Sequence, residues 1–299
     1  MNHPALTPST ILLLTAPPIL WAGNAIVGRL VREAVPPMTL NLLRWTIALV
    51  VLLPLGRAAL KHGSGVLANW RRYAMLGLLG VGLYNSLQYL ALQSSTPINV
   101  TLVASGMPVW MLLVGRLFYG VAVKRKQVVG ALLSIAGVLV VLCRGDVHQL
   151  LGLRLVIGDL YMILATIAWS FYSWMLMQQK DAPGLRADWA AFLLAQVGFG
   201  VLWSAALAGG EWALQGVQVA WSWPVGAALL YVALGPAVLA MRCWGAGVQR
   251  AGPSIGAFFV NLTPLFTALL SSAFLGEAPH LYHVLAFGMI VGGIAVSAR

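Results

Sequence analysis

Apolar runs of membrane-spanning length recur ten times along this chain, and no other feature restricts its fold as much. A helix needs about 20 apolar residues to cross the hydrocarbon of a bilayer. Ten stretches meet or approach that length: 10–31, 38–58, 71–93, 97–120, 125–143, 153–177, 187–208, 221–245, 253–275 and 280–298. The composition agrees, with 60% hydrophobic residues and only 8% charged. A soluble domain carries about a quarter charged residues, and a soluble core has no room for this much apolar surface. An all-α membrane protein with ten transmembrane helices is expected.

Most connections are short, such as Glu33–Pro37 and Ser94–Pro97. The exception, Gly209–Ala220, is long enough for a short helix at the membrane interface. Met1 to Thr10 holds prolines and no Lys or Arg, so no cleavable signal is expected and the first run stays as a helix. Cys143 and Cys243 have no metal-binding spacing and read as free thiols.

The net charge is +11. Such a balance can mark a nucleic-acid partner, but here the basic residues follow the loops. Arg57, Lys61, Arg71, Arg72, Lys124, Arg125, Lys126, Lys180, Arg186 and Arg250 flank the even-numbered loops. Arg29, Arg32, Arg144 and Arg154 flank the odd-numbered ones. Ten against four marks the even side as cytoplasmic. Both termini are then expected in the cytoplasm, in a bacterial inner membrane. No nucleic acid, cofactor or metal is expected.

The chain also repeats itself. A shift of 156 lays Ser105–Val121 over Asn261–Glu277, pairing Pro108 with Pro264 and Gly120 with Gly276. The same shift pairs Pro97 with Pro253, Gln93 with Gln249 and Gly137 with Gly293, with no gap. The expected units are 1–146 and 147–299, each of five spans. An odd number of spans turns the second unit over in the membrane. Such inverted-topology repeats are a hallmark of secondary transporters, whose binding site lies near the midplane between the halves. Proline kinks a helix and frees a carbonyl, so Pro108 and Pro264 are expected to form a pair of hinges. The bland alternative is that membrane helices simply tolerate proline.

Further residues carry a family resemblance. They are Trp21 and Asn24 opening the first span, Pro37, Leu40, Arg44 and Trp45 entering the second, and Pro264–Glu277 before a glycine-rich last helix. Together with five plus five spans, these resemble the drug/metabolite transporter superfamily, and within it the EamA branch. The first half departs from the pattern at Val121, where the family has Glu. Within the branch, the basic, Trp-rich chain is most similar to aromatic amino acid exporters of the YddG type. The resemblance implies the drug/metabolite transporter fold and export of amino acids or similar metabolites. It also implies a cavity bounded by the first, third, fourth, sixth, eighth and ninth helices.

Polar groups are costly in hydrocarbon, so those inside the spans are functional suspects. Trp21 and Asn24 share a stripe of the first helix. Tyr84, Gln88 and Tyr89 mark the third, Trp110 the fourth, and Trp169, Tyr172 and Ser173 the sixth. Trp244 lies in the eighth helix, and Asn261 and Thr263 precede Pro264 in the ninth. Taken singly, each amide or hydroxyl reads as interhelical glue. For the set as a whole, at least some members are expected to line a cavity and form the substrate-binding site. Trp203, Trp212, Trp221 and Trp223 lie near span ends and read as interfacial anchors.

The chemistry is binding rather than catalysis. No paired membrane Asp, Ser with His, or zinc cluster is present in the sequence, so an intramembrane enzyme is not expected. Glu33, Asp146, Asp181, Asp188 and Glu211 lie in or beside loops, Asp159 near the outer end of the sixth helix and Glu277 at the end of the ninth. Proton antiporters place a titratable group deep inside, so uniport without proton coupling is expected, with the chain acting as a monomer on a small-molecule substrate. A proton-coupled antiporter, or a carrier of phosphorylated sugars or nucleotide sugars, is the alternative. Arg44 and Arg242 lie about two turns inside their spans, where they are expected to snorkel to the head groups. For Arg242, holding a substrate carboxylate is the second reading.

Overall fold

The computed structural model describes residues 6–31, 33–95, 97–143, 146, 148, 156–215, 218–275 and 280–298. Ten membrane helices carry the fold. They are α1 (Pro8–Val31), α2 (Pro37–Leu55), α3 (Trp70–Ser94), α4 in two pieces (Pro97–Ser105 and Met107–Tyr119) and α5 (Arg125–Leu142). The second set is α6 (Ile157–Met177), α7 (Trp189–Gln215), α8 (Trp223–Ala251), α9 in two pieces (Pro253–Val260 and Leu262–Leu275) and α10 (Leu281–Ala298). Among the described residues, nine helices are long and apolar enough to cross a membrane, and the second piece of α4 is a shorter apolar one. The expected join at 146/147 falls where only Asp146 and His148 are described, and the Glu277–Pro279 turn lies outside the described residues.

Two expectations change in detail. Residues 209–215 do not leave the helix for an interfacial one, because α7 runs on through them to Gln215. The reason is Glu211, whose carboxylate accepts bonds from the backbone N–H groups of Met38 and Thr39 at 3.0 and 2.9 Å. Those are orphan donors at the start of α2, and the negative charge suits that helix terminus. The Thr39 hydroxyl donates to the same carboxylate at 2.8 Å and accepts from Trp212 Nε1 at 2.8 Å.

Second, α4 and α9 are interrupted rather than kinked. The breaks fall at Gly106 and Asn261, with φ/ψ of −71/−3° and −67/−8°. Pro108 and Pro264 then sit in the first turn of the piece that follows, where a missing N–H costs no helical bond.

Opposite orientation of the two halves follows from which ends meet. Thr39 at the start of α2 bonds Glu211 late in α7, while Gly56 at the end of α2 lies against Ala190 at the start of α7. In the same antiparallel manner, Arg72 early in α3 meets Asp181 beyond α6, and Ser95 just past α3 bonds Asp159 at the start of α6.

The pseudo-two-fold axis is visible where equivalent residues touch. Asn261 Nδ2 donates at 3.2 Å to the carbonyl of Ser105, its partner at a separation of 156. Where α5 and α10 pack, Gly130 and Gly293 face each other, and a Cβ on either would come within 2.6 Å of the other's carbonyl oxygen. Gly137, the equivalent of Gly293, lies against Ala286, the equivalent of Gly130. Small residues allow such close approach in lipid.

Both halves also carry a π-helical stretch at the same place, Leu78–Leu83 in α3 and Ala233–Leu239 in α8. Such stretches widen the turn, leave carbonyls without helical partners and recur at functional sites. Here Val81 O accepts from Asn41 Nδ2 at 3.2 Å, and Pro236 O accepts from Trp21 Nε1 at 3.3 Å.

Candidate functional site

The two π-helical stretches flank the centre of the bundle, and there five rings from four helices converge. Trp169 of α6 is the hub. Its centroid lies 5.4 Å from Trp21 of α1, 5.0 Å from Tyr84 of α3, 5.1 Å from Tyr172 and 5.5 Å from Trp244 of α8. Trp21 meets Trp169 edge-on at 85° and also approaches Trp244 at 5.7 Å. Rings at these spacings gain about 0.5–1.5 kcal/mol per pair beyond their buried area. Trp169 is 3% exposed and Trp244 fully buried, so the rings close on one another.

Glycine creates part of this geometry. A Cβ on Gly80, inside the π-helical turn of α3, would come within 2.6 Å of the Tyr172 ring. The polar edges of the rings are then tied to neighbouring helices. Tyr172 Oη donates to Gln196 Oε1 of α7 at 3.1 Å, and Gln196 Nε2 donates back to Phe192 O. Trp244 Nε1 donates to Ser173 Oγ at 3.2 Å.

Three buried polar atoms in the neighbouring helices have no hydrogen-bond partner among the described residues: Asn24 Oδ1, Trp169 Nε1 and Thr263 Oγ1. Asn24 lies one turn beyond Trp21 on α1, and α1 packs against the second piece of α9, which carries Thr263. Leaving such a group unpaired costs about 1–3 kcal/mol, so each has hydrogen-bonding capacity to spare. Asn24 Oδ1 accepts, Trp169 Nε1 donates, and Thr263 Oγ1 does either.

Six of the sequence candidates thus meet: Trp21, Tyr84, Trp169, Tyr172, Ser173 and Trp244. Asn24 stands beside them. Gln88 is half-buried on α3 and Trp110 half-buried on α4, and neither joins the ring cluster. Tyr89 lies farther along α3, where its hydroxyl is 3.5 Å from Arg44 Nη1. Asn261 is buried at the α9 break, its Nδ2 bonded to Ser105 O and to Ser134 Oγ at 2.9 Å. Its amide therefore joins α9 to α4 and α5. Gln196 and the Pro236 carbonyl are additions. Gln196 is a single amide in an apolar run, and the freed carbonyl follows from a π-helical turn that carries no sequence signature.

Of the two arginines expected to snorkel, Arg44 departs from expectation. Arg44 does not snorkel to the head groups: it is 2% exposed, because α3 presents Asn85 and Tyr89 to its guanidinium. Arg242 is exposed, with its guanidinium 4.3 Å from the Trp189 ring centroid in a cation–π contact.

Asp159, 2% exposed, is engaged at the start of α6 by Ser95 Oγ and by the N–H of Val156 at 2.9 Å. The last polar centre lies at the end of the bundle with the basic loops. Asp181 accepts from Arg72 at 2.7 and 2.9 Å, from Arg186 at 3.0 Å and from Tyr73 Oη at 2.8 Å. Burial pushes its carboxyl up, but the guanidinium of Arg72, the Tyr73 hydroxyl and Arg186 outweigh that and hold it below the ordinary carboxylate range. Arg72 and Arg186 also donate to carbonyls at the end of α6, including Met175 O and Leu176 O.

The chain is similar to known proteins over nearly its whole length. It is 28% identical over 290 residues, 95% of this chain and 96% of the other, to an uncharacterized transporter of Archaeoglobus fulgidus. It is 27% identical over 282 residues, 93% of each chain, to the aromatic amino acid exporter YddG of Ancylobacter novellus. A solved crystal structure superposes with a TM-score of 0.73 at 27% identity, covering 96% of both chains. The model of the EamA-like transporter family matches twice, over residues 8–143 and 156–299. With two family units in opposite orientation around a central ring cluster, the chain belongs to the EamA-like transporter family.

Proposed function

We propose that this transporter exports apolar and aromatic amino acids, or closely related small metabolites, by alternating access and without proton coupling. The observation that carries the reading is the five-ring cluster around Trp169, drawn from α1, α3, α6 and α8 and so from both halves. Helices that part along this seam must break ring–ring contacts. A substrate with an apolar or aromatic side chain replaces those contacts as it enters, so opening costs little net energy. The unpartnered Asn24 Oδ1 suits an ammonium group, while Trp169 Nε1 and Thr263 Oγ1 suit oxygen acceptors.

Uniport is favoured because the sequence's seven acidic residues all lie at loops or helix ends. The charge asymmetry of the loops supports cytoplasmic termini in a bacterial inner membrane. Pro108 and Pro264, opening the second pieces of α4 and α9, are proposed as hinges of the rocking motion. The YddG relative is named for aromatic amino acids, which fits a ring-lined site, and the chain is proposed to act as a monomer.

Counterflow in liposomes tests this. Labelled phenylalanine should exchange saturably against unlabelled phenylalanine, and an imposed proton gradient should leave net flux unchanged. Trp169→Ala should lower counterflow by at least about tenfold, the loss of one or two ring contacts. Flux that follows the proton gradient, or an unaltered Trp169→Ala, would overturn the reading.

A further inference from the structure

Arg44 is a charged side chain sealed in the membrane part of the protein, and among the described residues no carboxylate pairs with it. It is 2% exposed. Nη1 donates to Asn85 Oδ1 at 3.3 Å and reaches the Tyr89 hydroxyl at 3.5 Å, both long contacts to uncharged groups. Nε is buried without any acceptor among the described residues, as is the indole N–H of the adjacent Trp45, whose ring centroid is 5.2 Å from the guanidinium. The carboxylates of nearby elements are already engaged. Glu211 holds the first N–H groups of α2, and Asp159 holds Ser95 Oγ and the Val156 N–H.

A guanidinium in such a place is expensive. Buried charges are ordinarily paired, and an ionisable group inside a membrane protein calls for a named partner. A structural arginine answers that need with a carboxylate or a set of short carbonyl bonds, and among the described residues Arg44 has neither. What it does have is a planar fork with free N–H groups and an adjacent indole donor, the arrangement that binds a carboxylate.

Its place in the fold says whose carboxylate. Arg44 is held through Asn85, and the preceding residue, Tyr84, packs on Trp169. Tyr84 and Asn85 are consecutive on α3, so the residue that holds the guanidinium adjoins in sequence one that packs in the ring cluster. Uncharged donors such as Trp169 Nε1 orient an anion but do not neutralise it.

We propose that Arg44 binds the carboxylate of the transported molecule, so that substrates are organic acids or amino acids whose side chains enter the ring cluster. This rests on the function proposed above and adds the substrate class. The test compares phenylalanine with phenethylamine, which has the same ring and ammonium but no carboxylate, in counterflow with wild type, Arg44→Gln and Arg44→Lys. Wild type should favour phenylalanine. Arg44→Gln should cut phenylalanine counterflow by about 10- to 100-fold, the worth of a charge-assisted bond, and leave phenethylamine within about twofold of wild type. Arg44→Lys, which keeps the charge without the fork, should fall between.

Equal loss of both substrates, or no loss of phenylalanine, would overturn the proposal. If Arg44→Gln does not fold, Arg44→Lys carries the same comparison. If wild type moves neither compound, the transport reading fails, and the anion site is judged by thermal unfolding in detergent with 3-phenylpropionate. Stabilisation of wild type that is absent in the Arg44 variant supports the site, and no stabilisation of either protein overturns it.

Discussion

At the scale of single residues, Asp181 shows how a charge holds the two halves together at the basic end. Its side chain is fully buried, while Arg72 and Arg186 are 9% and 19% exposed. Asp181→Asn leaves two guanidinium groups without their anion, and removing one partner of a buried pair costs about 3 kcal/mol. Thermal unfolding in detergent should show that loss. Because the folded-state carboxyl is held below its unfolded value, the stabilisation is complete above about pH 4. It is lost as pH falls through the lowered value. Wild type should therefore lose stability at acid pH in a range where Asp181→Asn is flat.

The rings were legible as residues: Trp21, Tyr84, Trp169 and Tyr172 sit on stripes of otherwise apolar helices. Arg44 was not. Sequence reports its depth in the span, but Asn85 and Tyr89, about 40 residues away in the chain, decide whether it reaches lipid or protein. Asn261 has the same lesson, since an amide beside a proline looks alike whether it faces a cavity or, as here, Ser105 and Ser134 of two other helices.

At the scale of elements, the spans could be read directly because hydrophobic length is a local property. Their interruptions could not. Pro108 and Pro264 signalled irregularity, but whether a proline kinks a helix or opens a new one depends on how the freed carbonyl is satisfied. At the α4 break the Ser105 carbonyl finds Asn261, which stabilises a full interruption. The π-helical turns at Leu78–Leu83 and Ala233–Leu239 left even less trace, since their partners Asn41 and Trp21 lie on other helices.

Helix pairing gives a sharp test at this scale. Gly130→Ala and Gly293→Ala each place a methyl group 2.6 Å from a backbone oxygen of the facing helix. Backbone cannot yield as a side chain can, so each should lower the unfolding temperature of the purified protein. Gly198→Ala, with open space around its Cβ, should instead leave stability unchanged or raise it by up to about 1 kcal/mol.

At the scale of the whole molecule, the repeat was the most informative thing the sequence contained. Prolines and glycines in fixed register implied two units, and five spans per unit implied that one is inverted. The structure places equivalent residues against one another at Ser105 with Asn261, and it pairs two equivalent contacts, Gly130 with Gly293 and Ala286 with Gly137. Two family units at residues 8–143 and 156–299 correspond. In the proposed alternating access, one half rocks against the other between two states related by the two-fold axis, with the ring cluster at the seam.

The most direct test is the sidedness of two equivalent loops. His62 and Gln218 are both exposed, lie between α2 and α3 and between α7 and α8, and are related by the repeat. After Cys143 and Cys243 are replaced by serine, His62→Cys and Gln218→Cys are each treated with a membrane-impermeant maleimide on intact cells and on opened membranes. Gln218→Cys should react in intact cells, and His62→Cys only once the membranes are opened. Labelling of both from one face would rule out the inverted arrangement.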